Sequence, residues 1–246
     1  MTTLSPHAPE LTGPRIMRQT WADLTFVHWA VDPERVAPLL PAGTRPDVLD
    51  GATYVGLIPF TMRGAGFGRG PAVPWLGTFL ETNVRLYSVD DEGRHGVVFR
   101  SLEADRLGVS VGARLAFATP YTWARMSLER DGDVLDYRTS RRWPTPRGAG
   151  GRIVVRRGAP IAEPDDLSVF VSARFGLHTR HLGRTWWVPN THVPWSLNQG
   201  ELLHLDDDLV TAAGLPGITG AAPTSVLVAD EVQTAFGLPR LVRSGR

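Results

Sequence analysis

The chain has 246 residues, 26 of them basic and 25 acidic, and it contains neither lysine nor cysteine. A formal charge of +1 gives no global field to recruit nucleic acid or an anionic membrane, so neither is expected as a partner. Without lysine no side chain can form a Schiff base, and without cysteine there is no thiolate nucleophile, disulfide or Cys-based zinc or iron–sulfur site.

The opening MTTLSPHAPELTGPR lacks a basic start followed by an apolar core, and no run of 18 apolar residues occurs, so the chain reads as a soluble cytoplasmic protein. Residues 1–17 read as a flexible segment, 18–237 as one domain and 238–246 as a tail. With 26 glycines and 20 prolines the chain is cut into short segments, which argues for strands over long helices.

In chain order, the first predicted strand is 22–31, ADLTFVHWAV. Asp32 before Pro33 opens a helix over DPERVAPLL, which stops ahead of Pro41 and Gly43. A strand at 52–60 leads to GAGFGRGP (64–71), read as a mobile loop. A phosphate-loop reading fails there, because Arg69 stands where the motif starting at Gly64 needs its last glycine and no helix follows. Strands are predicted at 79–87 and 96–102, then a helix over 104–117 whose small residues suit close packing on a sheet.

Strands 122–130 and 134–142 are joined through Asp131, Gly132 and Asp133 as a hairpin. The arginine-rich stretch 141–157 reads as a solvated loop and edge strand, including a strand at 151–157. A helix over 164–175, a strand at 184–195, a helix over 206–214 with an aspartate cap and glycine end, and a strand at 224–236 complete the pattern. Neither a repeat nor a regular βα alternation is visible, so a doubly wound parallel sheet is not expected.

The most informative segment is FLETNVRLY (79–87). As a strand it sets Glu81, Asn83 and Arg85 on one face with Phe79 and Tyr87, and Leu80, Thr82, Val84 and Leu86 on the other. Aromatic flanks on the polar face point to a cavity rather than open water. Glu81 is the candidate general acid or base, its charge pulled one way by burial and the other by a neighbouring guanidinium such as Arg85. Arg85, Arg100 or Arg114 could hold a carboxylate in two parallel hydrogen bonds. Tyr121 could donate to a carbonyl or enolate oxygen, and Tyr54 and His28 are further candidates for the lining. His192, and His178 with His181, read as packing residues without a carboxylate partner, and HLDDD (204–208) as a helix start; no metal or cofactor is expected.

WADLTFVHW, LLPAGTRPDVLDGATYVGLIPF, FLETNVRLY, GVVFRSLEADR, TPYTWARM and THVPW, in this order over roughly 18–230, resemble the YqjF-like family of uncharacterised proteins, assigned to the acetoacetate-decarboxylase-like fold. The resemblance implies a β-rich α+β architecture, an antiparallel, partly open, cone-shaped barrel with a few peripheral helices. In decarboxylases of that superfamily a barrel glutamate lies near a reactive lysine; Glu81 is similar to that glutamate, while Tyr121 and Thr122, after Pro120, stand where the lysines would come. The decarboxylase activity therefore does not follow from the fold. Two functions stay open. One is an enzyme acting on a small oxo-acid or related carbonyl compound by acid–base chemistry, as a hydratase, isomerase or decarboxylase without a Schiff base. The other is a non-catalytic small-molecule binding protein. A homo-oligomer is compatible with either.

Overall fold

The computed structural model describes residues 4–68, 70–110 and 119–243. β1 (Met17–Ala22) and β2 (Leu24–Val31) meet at Asp23, whose φ is 50°. The Asp32 side chain accepts the amide of Glu34 and so caps α1 (Pro33–Val36), with Pro33 placed where its missing N–H costs nothing. β3 (Thr44–Pro46), β4 (Thr53–Phe67), β5 (Phe79–Asp90) and β6 (His95–Ala104) follow. β7 (Tyr121–Asp131) and β8 (Val134–Trp143) form a hairpin in which Asp131 faces Val134 across a two-residue turn with Gly132 at φ 57°. Beyond β9 (Gly150–Pro160) come α2 (Asp166–Ser172), β10 (Gly176–His181), β11 (Arg184–Thr191) and β12 (Leu197–Asp207). α3 (Leu209–Ala212), β13 (Ser225–Ala229), β14 (Val232–Phe236) and β15 (Arg240–Leu241) end the described chain.

All of these strands belong to one sheet that closes on itself twice. One circuit of pairings runs β1, β14, β11, β10, β6, β5, β4 and back to β1. The other runs β6, β7, β8, β9, β12, β13, β2, β4, β5 and back to β6. Strands β4, β5 and β6 are shared, so β4 and β5 are walled in on both faces and read as near-continuous buried runs. On one face Val55, Leu57, Val84 and Leu86 pack with Val27, Leu135, Val155 and, from α3, Leu209 and Val210. On the other face Tyr54, Ile58, Phe60, Phe79 and Tyr87 pack with Phe26, Leu227 and, from α2, Phe170 and Val171. The candidate site faces this second core.

The fold is the expected β-rich one, with one correction: the sheet is mixed. β6 pairs in parallel with both β10 and β7. The connection of residues 105–120 between β6 and β7 is long enough for such a crossover, which a hairpin turn is not. The expected loop at 64–71 is strand up to Phe67, because β4 continues along β1 as far as the Met17–Phe67 pair. The arginine-rich β8 and β9 are not edges, each being paired on both sides. The 224–236 strand is two strands, interrupted at Asp230 and Glu231, and β1, β3, β10, β12 and β15 went unread. α3 is shorter than expected because β12 runs on to Asp207, whose carboxylate then accepts the amides of Leu209 and Val210. Of the helix expected over 104–117, residues 107–110 are helical and 111–117 lie outside the described residues.

Candidate functional site

Strand β5 presents Glu81 and Asn83 to the second core, with relative exposures of 3% and 4%. β6 brings Ala104 opposite Glu81 and Leu102 opposite Asn83. Its parallel neighbour β7 sets Tyr121 beside Leu102, and the Tyr121 hydroxyl donates to Glu81 Oε2 at 2.7 Å. The Asn83 side chain also hydrogen-bonds to the Glu81 carboxyl, while its Oδ1 has no partner. Burial pushes the Glu81 carboxyl up from 4.5 to about 7, against the hydrogen bonds from Tyr121 and Asn83 that favour its ionised form. The Tyr121 hydroxyl is itself held well above its usual range, first by burial and then by the Glu81 charge. Among the described residues no guanidinium pairs with Glu81.

Arg85, expected beside Glu81, does other work. A register shift between Val84 and Arg85 breaks the ladder to β6, and α2 ends close by. The last carbonyls of a helix have no partner of their own and carry partial negative charge. Arg85 Nη2 donates to the Val171 carbonyl at 2.6 Å and Tyr87 Oη donates to the same oxygen at 3.0 Å. Arg174 Nε closes the Phe170 carbonyl at 2.7 Å and Trp195 Nε1 the Ser172 carbonyl at 3.2 Å. Arg85 is therefore a helix-end clamp, with its guanidinium over the rings of Phe26 and Tyr87.

His28 belongs to that clamp. It pairs with Gly56, which pairs in turn with Arg85, so the three form one row across β2, β4 and β5. A Cβ on Gly56 would stand 2.7 Å from His28 Nε2, which is why the row needs glycine there. Tyr87 Oη accepts Arg85 Nε–H at 3.0 Å and lies 3.0 Å from the Val171 carbonyl oxygen and 2.5 Å from His28 Nε2. Burial, with the nearby Arg85 and Arg174, holds the His28 pKa well below the ordinary value, so it stays neutral. Tyr54 lies on the same face, its ring against Phe170, but six residues along β4 from the Phe60 that pairs with Glu81. Arg100 is absent from the site, since its guanidinium is spent on the carbonyls of Ala213 and Leu39. Arg114 lies outside the described residues.

The structure also shows buried polar clusters that the sequence reading missed. Glu103, on the opposite face of β6 from Ala104, is fully enclosed and takes a two-pronged pairing from Arg141 and a hydrogen bond from Thr122. Asp47 accepts from His95 at 2.8 Å and pairs with Arg174. His178 does have a carboxylate partner: Nε2 meets Asp90 at 3.1 Å and Nδ1 meets Ser88 Oγ at 2.8 Å. This Ser–His–Asp chain is no nucleophile site. Its nitrogens are the reverse of the catalytic arrangement, and Ser88, His178 and Asp90 are all at most 1% exposed. His192 packs against Phe175, Trp195 and Trp21 and gives Nδ1 to the Val193 carbonyl, as a core residue. Among the described residues there is no group of three or more potential metal ligands, and no helix long and apolar enough to cross a membrane.

Comparison with known proteins places this arrangement. Residues 18–233 match the family described as "Uncharacterized conserved protein", DUF2071. The chain is 34% identical over 188 residues to the uncharacterized protein YqjF of Bacillus subtilis (strain 168), covering 76% of each. Among solved structures it is similar to the enduracididine biosynthesis enzyme MppR complexed with the condensation product of pyruvate and imidazole 4-carboxaldehyde. That match has a TM-score of 0.65 at 15% identity and covers 96% of this chain and 92% of that one. An acetoacetate decarboxylase-like enzyme from Sphingomonas wittichii RW1 matches with a TM-score of 0.64 at 15% identity over 93% of each chain. These structural likenesses establish the acetoacetate-decarboxylase-like fold, and the sequence matches establish that the chain belongs to the DUF2071 family of uncharacterized conserved proteins.

Proposed function

We propose that this protein is an enzyme acting on a small oxo-acid or related carbonyl compound, with Glu81 as the proton-transfer residue and Tyr121 as its relay. The observation that carries the reading is an enclosed carboxyl balanced near pH 7 and bonded to a tyrosine hydroxyl. A carboxyl with that balance is populated both as acid and as base at neutral pH, which is where general catalysis is most efficient. When Glu81 is ionised it accepts the Tyr121 proton. When it is protonated the bond can reverse, and Tyr121 then offers its own O–H to a developing oxyanion, with Glu81 replacing that proton. Asn83, whose Oδ1 is unpartnered, can orient a hydroxyl or amide of the ligand. The absence of lysine keeps the chemistry away from a side-chain Schiff base. The likeness to MppR, whose structure is titled as a complex with a pyruvate condensation product, supports a carbonyl ligand for this fold.

The test begins with a thermal-shift screen of oxo-acids against the whole protein, since a ligand that binds the folded state stabilises it. On a substrate so found, Glu81→Gln should lower turnover by roughly 10²-fold or more while affinity changes little. Full turnover in Glu81→Gln would overturn the proposal. Binding with no turnover in either protein would favour the non-catalytic reading.

A further inference from the structure

The clamp on α2 uses only part of the Arg85 guanidinium. A guanidinium carries five N–H groups in a flat fork. Nε reaches Tyr87 Oη at 3.0 Å and Nη2 reaches the Val171 carbonyl at 2.6 Å, and these two acceptors are themselves 3.0 Å apart. They therefore take the edge of the fork that Nε and Nη2 share. The other edge, made by Nη1 and the second proton of Nη2, has no hydrogen-bond partner among the described residues, and no described carboxylate forms an ion pair with Arg85. Two parallel N–H groups on one edge match the two oxygens of a carboxylate.

The position of that edge matters as much as its chemistry. From Glu81 to Asp90, Arg85 is the one residue of β5 that is not buried, so water reaches this face at the guanidinium. Burial is the first cause that holds His28 and His192 below the ordinary imidazole value, and the Arg85 charge pushes both the same way, as a cation without a counterion does. Two residues along the same face towards Glu81 stands Asn83, 4% exposed, whose Oδ1 has no partner. Because the Asn83 amide serves the Glu81 carboxyl, the free atom is an acceptor, and a hydroxyl supplies the donor it lacks. In an extended strand the Cα atoms of Glu81 and Arg85 are roughly 13 Å apart, with Asn83 midway.

We infer that Arg85 is the carboxylate anchor of this face and that its ligand is a small monocarboxylic acid bearing a hydroxyl, the carboxylate on the free edge of Arg85 and the hydroxyl on Asn83 Oδ1. Binding of such an acid stands on these two side chains alone. That the same molecule reaches Glu81 rests on the function proposed above, and it narrows the substrate class from oxo-acids to hydroxylated oxo-acids. An oxo-acid without a hydroxyl would leave Asn83 Oδ1 with no donor.

The experiment is an NMR titration of the full chain with 3-hydroxybutyrate, 3-hydroxybutyramide and butyrate, following the Arg85 Nε–H and Asn83 side-chain amide signals. 3-Hydroxybutyrate should shift both signals saturably. The amide, with the same hydroxyl and no charge, should bind at least about tenfold more weakly, and butyrate, with the charge and no hydroxyl, at least about threefold more weakly. Arg85 also holds the end of α2, so the unaltered protein carries the test of the anchor. Asn83→Leu should bind 3-hydroxybutyrate and butyrate equally, and Glu81→Gln should keep the preference for 3-hydroxybutyrate over its amide. The proposal is overturned if 3-hydroxybutyrate leaves the Arg85 signal unmoved, if the amide binds as well as the acid, or if the hydroxyl gives no advantage in the unaltered protein. Because Glu81→Gln leaves Arg85 and Asn83 in place, failure here is separate from failure of the proton-transfer role.

Discussion

Glu81→Gln is expected to be about 3 kcal/mol more stable than the wild type near pH 8 and almost equal to it near pH 4, with urea unfolding across the pH range as the measurement. The sequence change removes a titrating proton and little else, since glutamine can still accept from Tyr121. In the unfolded chain Glu81 ionises around 4.5, whereas burial delays it to about 7 in the fold. Between those values the native state holds a proton that the unfolded state has released, so wild-type stability falls as pH rises through the window and stays lower above it. Asp207, pushed up to about 6 chiefly by burial, adds a loss of the same sign, but it does so in both proteins and cancels from the difference. Parallel stability profiles for the two proteins would show that Glu81 is ionised in the fold at ordinary pH.

Arg141→Met should cost about 3–5 kcal/mol, because it strands the enclosed carboxylate of Glu103 without its guanidinium. Glu103→Gln/Arg141→Met should recover a large part of that loss, since removing both charges removes the desolvation penalty along with the attraction. The double-mutant cycle isolates the coupling. Additive effects, or a single-variant cost under about 1 kcal/mol, would mean that solvent reaches this pair.

What the sequence made legible was local. Alternation in FLETNVRLY correctly put Glu81 and Asn83 on one face, and the hairpin signal at Gly132 and the helix start at Asp32 were readable from spacing alone. Arg85 followed the same alternation, yet its partner was decided by the exposed carbonyls of a helix that begins 81 residues later in the chain, at Asp166, and alternation carries no information about that. Arg100 failed for a related reason: β5 pairs with Phe99 and then Ser101, leaving Arg100 out of the ladder and turned to Leu39 and Ala213. The pairing of Glu103 with Arg141 and of Asp90 with His178 depends on register between distant strands. The register shift that leaves Arg142 out of the ladder has no residue-type signature.

The protonation of Glu81 is the point on which the proton-transfer account turns. The direct measurement is a ¹³C NMR titration of the Glu81 side-chain carboxyl, in the wild type and in Tyr121→Phe. The account predicts a wild-type midpoint at about 7, and a higher one in Tyr121→Phe, where the hydrogen bond favouring the ionised form is gone. A midpoint in the ordinary carboxylate range, unmoved by the loss of the Tyr121 hydroxyl, would contradict it.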